Sequence, residues 1–367
     1  MKDAFRAAQG LGPDWHHACD QCIEQLAGLP PEARLGFIYA SDPLADALAL
    51  IVTRLREATG IGTWIGTGGA GVCGGSQEYV EGGAIVTLVA SLAEHAFEVF
   101  DGAGERGSTR PIRPHWASCG VVHGDPRQQD IAAAIGRLSE HSGAFLVGGL
   151  SSASASAIQV AGGAAEGSLS GVFFSAEVEL ATGLSQGCTP VGPLHEVTAS
   201  QGPWLLTLDG RPCVDVLEED IGEVLARNLE RIGGFIHVAL PIHGADRADY
   251  TVRNLLAIDV RRAAIAVGEL LRPRDRIMFV KRDGTEAQAD LRRMLADLRR
   301  RTAGRPIHGA LYHSCVARGP HMFSPGSAEL KMIERALGPV PLAGFFTNGE
   351  IFRDRLYSYS GVLTLFL

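Results

Sequence analysis

Apolar residues in this chain fall in short runs that stop abruptly at small or polar residues. Arg34–Ala40 is the first such run and ends at Ser41-Asp42. The spacing then becomes helical. Leu44, Leu48, Ile51 and Leu55 recur every three or four positions, which predicts a helix from Leu44 to Thr59. Pro43 suits its first turn and Gly60 its end. A strand at Thr63–Ile65, a glycine-rich turn at Gly66–Gly75 and a third apolar run at Ala84–Ala90 complete a β-α-β-β unit.

The same order recurs twice. The run Ala117–Gly124 ends at Asp125-Pro126, followed by a helix at Gln128–Ser139, the strand Ala144–Val147, the turn Gly148–Ala153 and the run Leu169–Ala176. Near the C-terminus, Ile307–Ser314 ends at Cys315. A helix at Ser327–Leu337, the strand Leu342–Phe346, the turn Thr347–Ile351 and the run Ser360–Leu367 follow. Three copies in one order indicate an internal repeat. Between the second and third copies the pattern differs. Short strands dominate Leu194–Asp259, with the turn Asp209-Gly210, a helix at Asp215–Ile232, and a second helix at Glu286–Arg301 before the last copy. The Ser-, Ala- and Gly-rich tract Ser151–Gly167 reads as a connector or binding loop.

The fold expected is therefore α/β (α+β): repeated β-α-β-β units forming packed mixed sheets covered by helices. The expected organisation is an N-terminal helix within residues 1–33, a domain at 34–192 and a domain at 193–367. The glycine- and proline-rich stretch Ala181–Leu194 marks the boundary.

Composition narrows the function classes. The 367 residues are 46% hydrophobic and 20% charged, and can bury a large core. A net charge of −8, with arginine clusters that sit beside acids at helical spacing, disfavours a nucleic-acid surface. The N-terminus lacks the apolar core of a signal peptide, and no apolar run approaches membrane-spanning length, so a cytoplasmic location is expected. Seven scattered cysteines suit reduced thiols better than a disulfide framework. Cys19 and Cys22 form a C-x-x-C on the N-terminal helix, without a second pair at zinc-finger spacing.

Seven segments in order carry a resemblance. They are Gly66–Gly75, Gly148–Ser152, Gln186–Pro190, Asp209–Pro212, Asn254–Asp259, Ser314-Cys-Val-Ala-Arg-Gly319 and Gly344–Ile351. Together they resemble the FIST sensory domain, in its N-terminal plus C-terminal form, from Arg34 to Leu367. Many members carry Asn-Gly where Val316-Ala317 stand here. The resemblance implies a small-molecule sensor working through a signalling partner such as a histidine kinase. Amino-acid-like ligands, or haem that senses nitric oxide, are the ligand classes it suggests.

The chemistry of the residues offers three readings. Backbone N–H groups of the glycine turns, with Gly69, Gly71, Ser151 and Ser152 among them, suit an anionic group. Arg318 suits a ligand carboxylate and Glu350 an ammonium group, with Cys315, Asn348 and Gln186 nearby. Haem would need a histidine or thiolate. His123 and His313 at strand ends, and His237 and His243 around another strand, are the candidates, without a covalent attachment motif. The alternative is an enzyme with Cys315 as nucleophile, Arg318 lowering its pKa and His313 or His321 as base.

Overall fold

The structure is a computed structural model, and it describes residues 5–102, 116–154, 157–165, 168–229, 232–242 and 249–367. His243 and parts of the Ser151–Gly167 tract lie outside these residues. The chain divides into two compact units, Met1–Gln186 with Gln288–Leu367, and Gly187–Ala287. The expected division at 192/193 follows chain order, whereas these units do not.

The first unit holds the repeat. Copy one runs β1 (Phe5–Leu11), α1 (Trp15–Gln25), β2 (Ala33–Ser41), α2 (Asp42–Ala45), α3 (Leu48–Thr59), β3 (Thr63–Gly69), β4 (Val72–Gly74), β5 (Gln77–Tyr79) and β6 (Ala84–Ser91). Copy two runs β7 (Phe97–Asp101), β8 (Ala117–Gly124), α4 (Ile131–Ser142), β9 (Phe145–Leu150), β10 (Gln159–Ala161), β11 (Ala164–Ala165) and β12 (Leu169–Ser175). Copy three begins with β13 (Leu180–Gln186). The chain then leaves for the second unit.

That unit contains β14 (Cys188–Pro190), β15 (His195–Gln201), β16 (Trp204–Leu208), β17 (Arg211–Pro212), α5 (Cys213–Ala226), β18 (Ile236–Pro241), β19 (Tyr250–Asp259), β20 (Ala264–Val267) and β21 (Arg276–Arg282). Strands β15, β16, β20, β19, β18 and β21 pair in that order, and β21 pairs back to β15, so this sheet closes into an antiparallel barrel. Helix α5 contributes Cys213, Val214, Val216, Leu217 and Ile221 to the barrel's core. Gly222, at φ 76°, breaks α5 from within, and the helix stops short of the expected Ile232.

Copy three resumes along α6 (Gly284–Arg301) and continues with β22 (Gly309–Cys315), α7 (Ala328–Leu337), β23 (Leu342–Thr347), β24 (Glu350–Phe352), β25 (Arg355–Tyr357) and β26 (Ser360–Phe366). Helix α6 thus occupies the place that α1 holds in copy one, and the second unit is an insertion before it.

In each copy the first and second long strands pair in parallel, and the third pairs antiparallel to the first. The edge strands β1, β7 and β13 add to β6, β12 and β26. The short hairpins do not stay at home. Hairpin β4–β5 of copy one joins β23 of copy three, β10–β11 of copy two joins β3 of copy one, and β24–β25 of copy three joins β9 of copy two. Each copy therefore lends an edge to another, and the exchange closes on itself.

The central strands are buried on both faces, which is why they read as continuous apolar runs rather than as alternation. One face of each sheet meets a shared core, with Phe37 and Tyr39, Val121 and Val147, and Leu311 and Phe345 from the three copies. The other face meets helices, as Ile38 and Ala40 do with Leu48 and Ile51. Gly66, Gly148 and Gly344 hold one equivalent position. A Cβ on any of them would overlap the carbonyl oxygen of Ile38, Val122 or Tyr312 on the adjoining parallel strand. Strand β1 escaped the sequence reading because it is a half-buried edge with no long apolar run. Cys19 and Cys22 are buried on α1, facing the carbonyls of Ile51 and Ile85, and burial pushes the Cys19 thiol up to about 11. They behave as small apolar residues.

Candidate functional site

The loops after the long parallel strands converge. Ser151 Oγ donates to Gly68 O at 2.8 Å. Ser152 Oγ donates to Phe346 O of copy three and accepts from Ala70 N of copy one at 2.7 Å. One serine of copy two therefore ties the turns of both other copies. Gly69 and Gly71 lie against Phe345 and Phe346, where added Cβ atoms would crowd Phe346 O and Tyr79 O. Asn348 N donates to Leu150 O at 3.0 Å, while its residue is exposed. Asp42, at the start of α2, accepts from Ser154 N and Ser154 Oγ, both at 2.7 Å. Gly69, Gly71, Ser151, Ser152 and Asn348 are thus brought together, and Asp42 joins them. In the sequence Asp42 marks only the end of the first apolar run.

Cys315, Arg318 and Glu350 form a second, buried group within copy three, with the half-buried Gln186 beside it. Arg318 is 0% exposed. Its Nε and Nη2 donate to Glu329 Oε1 at 2.8 and 2.6 Å, and Nη2 also reaches Ser185 Oγ at 3.3 Å. Glu329 further accepts from Tyr312 Oη at 2.5 Å, Ser314 Oγ at 3.1 Å and Gly319 N at 3.3 Å. The carboxylate that Arg318 meets is therefore internal. Glu350, also 0% exposed, accepts from Thr347 Oγ1 at 2.5 Å and from Ser360 N and Oγ at 3.0 and 2.7 Å. Burial raises its carboxyl to about 7 despite these donors. Gln186 pairs with Ser360 across β13 and β26, and its backbone N–H donates to Asp290 at 2.7 Å. Burial pushes the Cys315 thiol well up, with the Glu350 charge adding to the effect. A nucleophilic thiol needs the opposite shift. His321 is exposed.

The shared core holds a third group. Tyr39, His123 and His313 occupy one equivalent position in the three first strands. Tyr39 Oη lies 3.2 Å from His123 Nε2 and 3.2 Å from His313 Nε2. Phe345 stacks on the Tyr39 ring at 4.8 Å. The Nδ1 atoms of both imidazoles are buried without a partner among the described residues. Burial holds both histidines neutral, His313 down at about 3. A hydroxyl donates one proton, so one ring accepts it and the other donates back. A haem ligand must present a ring nitrogen to open space. His123 and His313 are 0% exposed with Nε2 turned to Tyr39, so as placed they do not fit that role. His237, in the second unit, is buried at 1% exposure and its pKa falls to about 4.

The second unit also contains an arrangement that sequence reasoning missed. His195 Nδ1 lies 2.6 Å from Asp209 Oδ2, and Nε2 lies 2.9 Å from Asp220 Oδ2. Burial alone would lower this imidazole, but the two carboxylates together hold its pKa above the ordinary value. The Asp209-Gly210 turn was visible in the sequence. Its histidine partner is fourteen residues earlier on β15 and has no local signal.

Comparison with known proteins covers most of the chain. A model described as FIST N domain matches residues 34–211, and one described as FIST C domain matches 214–353. An uncharacterized protein of Mycobacterium tuberculosis is 34% identical over 197 residues, covering 50% of each chain. An uncharacterized protein of Mycobacterium bovis is 33% identical over 197 residues, again 50% of each. The chain spans about half the length of the curated relatives it matches. No helix among the described residues is long and apolar enough to cross a membrane.

Proposed function

Because the chain belongs to the FIST family, carrying its N and C domains in order, we propose that it is a ligand-sensing signal-transduction protein. FIST domains are associated with sensory signal transduction. The small-molecule site of this reading is the face where the turns of the three copies meet. The observation that carries it is Ser152, bonded at once to copy one and copy three. A ligand there touches all three copies, so binding biases their mutual arrangement. The exposed Asn348 and the Asp42 carboxylate suit a small polar molecule with an ammonium group, of the amino-acid class. Output passes to a separate signalling protein such as a histidine kinase. Seven free and buried thiols favour a reducing, cytoplasmic setting.

The buried, raised thiol of Cys315 gives the enzyme reading no support, and the enclosed imidazoles of His123 and His313 give the haem and nitric oxide reading none. The test is thermal unfolding against a panel of free amino acids. Stabilisation by one of them, lost in Asn348→Ala and in Ser152→Ala, is the expected result. No stabilisation by any member, or a shift unchanged in both variants, overturns the reading.

A further inference from the structure

Helices α6 and α7 of the first unit enclose a groove of about 320 Å³. Its floor is apolar: Leu295 and Ala296 from α6, Met332 and Ala336 from α7. Its rim is Arg292, Arg299 and Arg335, all exposed. No carboxylate among the described residues lines it. The neighbouring arginines differ. Arg293 pairs with Asp290, and Arg300 and Arg301 share Asp297. Among the described residues Arg292 reaches the neutral Gln288 amide at 3.3 Å, and neither it nor Arg299 nor Arg335 has an acidic partner there. In a chain of net charge −8, three unpaired cations around one apolar floor are a local reversal of sign.

We infer that this groove docks an acidic amphipathic helix of a partner protein. The inference rests on the proposed output through a partner and supplies its contact surface. A third helix laid between two others buries its apolar stripe against the floor. Arg292 and Arg299 are two turns apart on one face of α6, about 10 Å along the axis, so they match acids spaced seven residues on the incoming helix. Charge sets the partner's sign, since like charges facing these arginines would be repelled. A second copy of this acidic chain, or an anionic lipid surface, are the competing occupants.

The test uses the full chain and a fluorescein-labelled helical peptide with a leucine and alanine stripe flanked by glutamates. Saturable binding that weakens with salt is expected, with Arg299→Glu and Arg335→Glu each weakening it about tenfold or more. Replacing the peptide's glutamates with lysines should abolish binding to the native chain and restore it to the doubly reversed variant. These exposed positions leave the fold intact, which circular dichroism checks. Absence of saturable binding, or equal binding of the lysine peptide to the native chain, overturns the inference. So does Arg299-dependent self-association, or Arg299-dependent binding to phosphatidylglycerol vesicles without peptide binding. Amino-acid stabilisation through Asn348 is read separately, so the two proposals fail independently.

Discussion

Arg318 and Glu329 are joined by two hydrogen bonds, 2.6 and 2.8 Å long, at a site where neither side chain is more than 1% exposed. The pair comes from the loop after β22 and the first turn of α7. It fixes that loop rather than presenting a cation to solvent. Glu329→Gln leaves the guanidinium buried without a countercharge, and a loss of about 3–5 kcal/mol in chemical denaturation is expected. Removing the charge as well, in Arg318→Met with Glu329→Gln, should recover part of that loss. A double variant no more stable than the single one would show that the lost contacts of Tyr312 and Ser314 dominate.

Glu350 gives copy three a pH dependence. Its folded pKa of about 7 lies above the ordinary 4.5. Between those values the folded state holds a proton that the unfolded chain has released. This contribution is fully present below about pH 4.5 and is lost as pH rises through about 7. The gap corresponds to on the order of 3 kcal/mol. Denaturation of the native chain and Glu350→Gln at pH 5 and pH 8 isolates it. The difference in stability between the two proteins should change with pH, and a constant difference would sink the assignment.

His195 acts in the same direction in the second unit. Its folded pKa is raised, so its stabilisation is present below the ordinary 6.5 and is lost as pH rises through the folded value. The imidazole resonances of His195 should titrate above 6.5. Asp220→Asn should move that titration downward, because it removes the carboxylate at 2.9 Å.

Tyr39→Phe removes the single hydroxyl shared by His123 and His313. Two buried ring nitrogens then lack a partner, and a loss of about 1–3 kcal/mol is expected without a change in circular dichroism. An unchanged midpoint would mean that the rings find other partners.

Gly344→Ala should cost more than Tyr39→Phe, because its methyl group would meet the Tyr312 backbone, which has no rotamer to change. Gly304→Ala is not an equivalent control, since its φ of 79° adds strain of its own. Gly62→Ala, with open space around its Cβ, is suitable and should be nearly silent.

The repeat is legible in the sequence because burial on both faces turns β2, β8 and β22 into unbroken apolar runs, and the helices between them keep their own period. The hairpin exchange is not legible. Strands such as β5 are three residues long and half exposed, and nothing local says which sheet Gln77 or Glu350 will join. Nor does spacing reveal that Tyr39 stands where His123 and His313 stand, since the equivalence is one of register across three copies. Arg318 was visible as a cation, but its partner Glu329 lies eleven residues on, in a helix whose acids look like solvent-facing charge. The meeting of Gly69, Ser152 and Asn348 was within reach, because each ends or follows the second strand of its copy.

The circular lending of hairpins fixes arithmetic as well as shape. A stacked repeat protein grows by adding modules at an open end. Here every lent edge is already accepted, so no copy is a free end, and a chain shortened to two would leave one sheet without its borrowed strands. The three modules are therefore a quorum: divergence can reshape one of them, as the inserted barrel shows, but none can be lost without stranding another's edge.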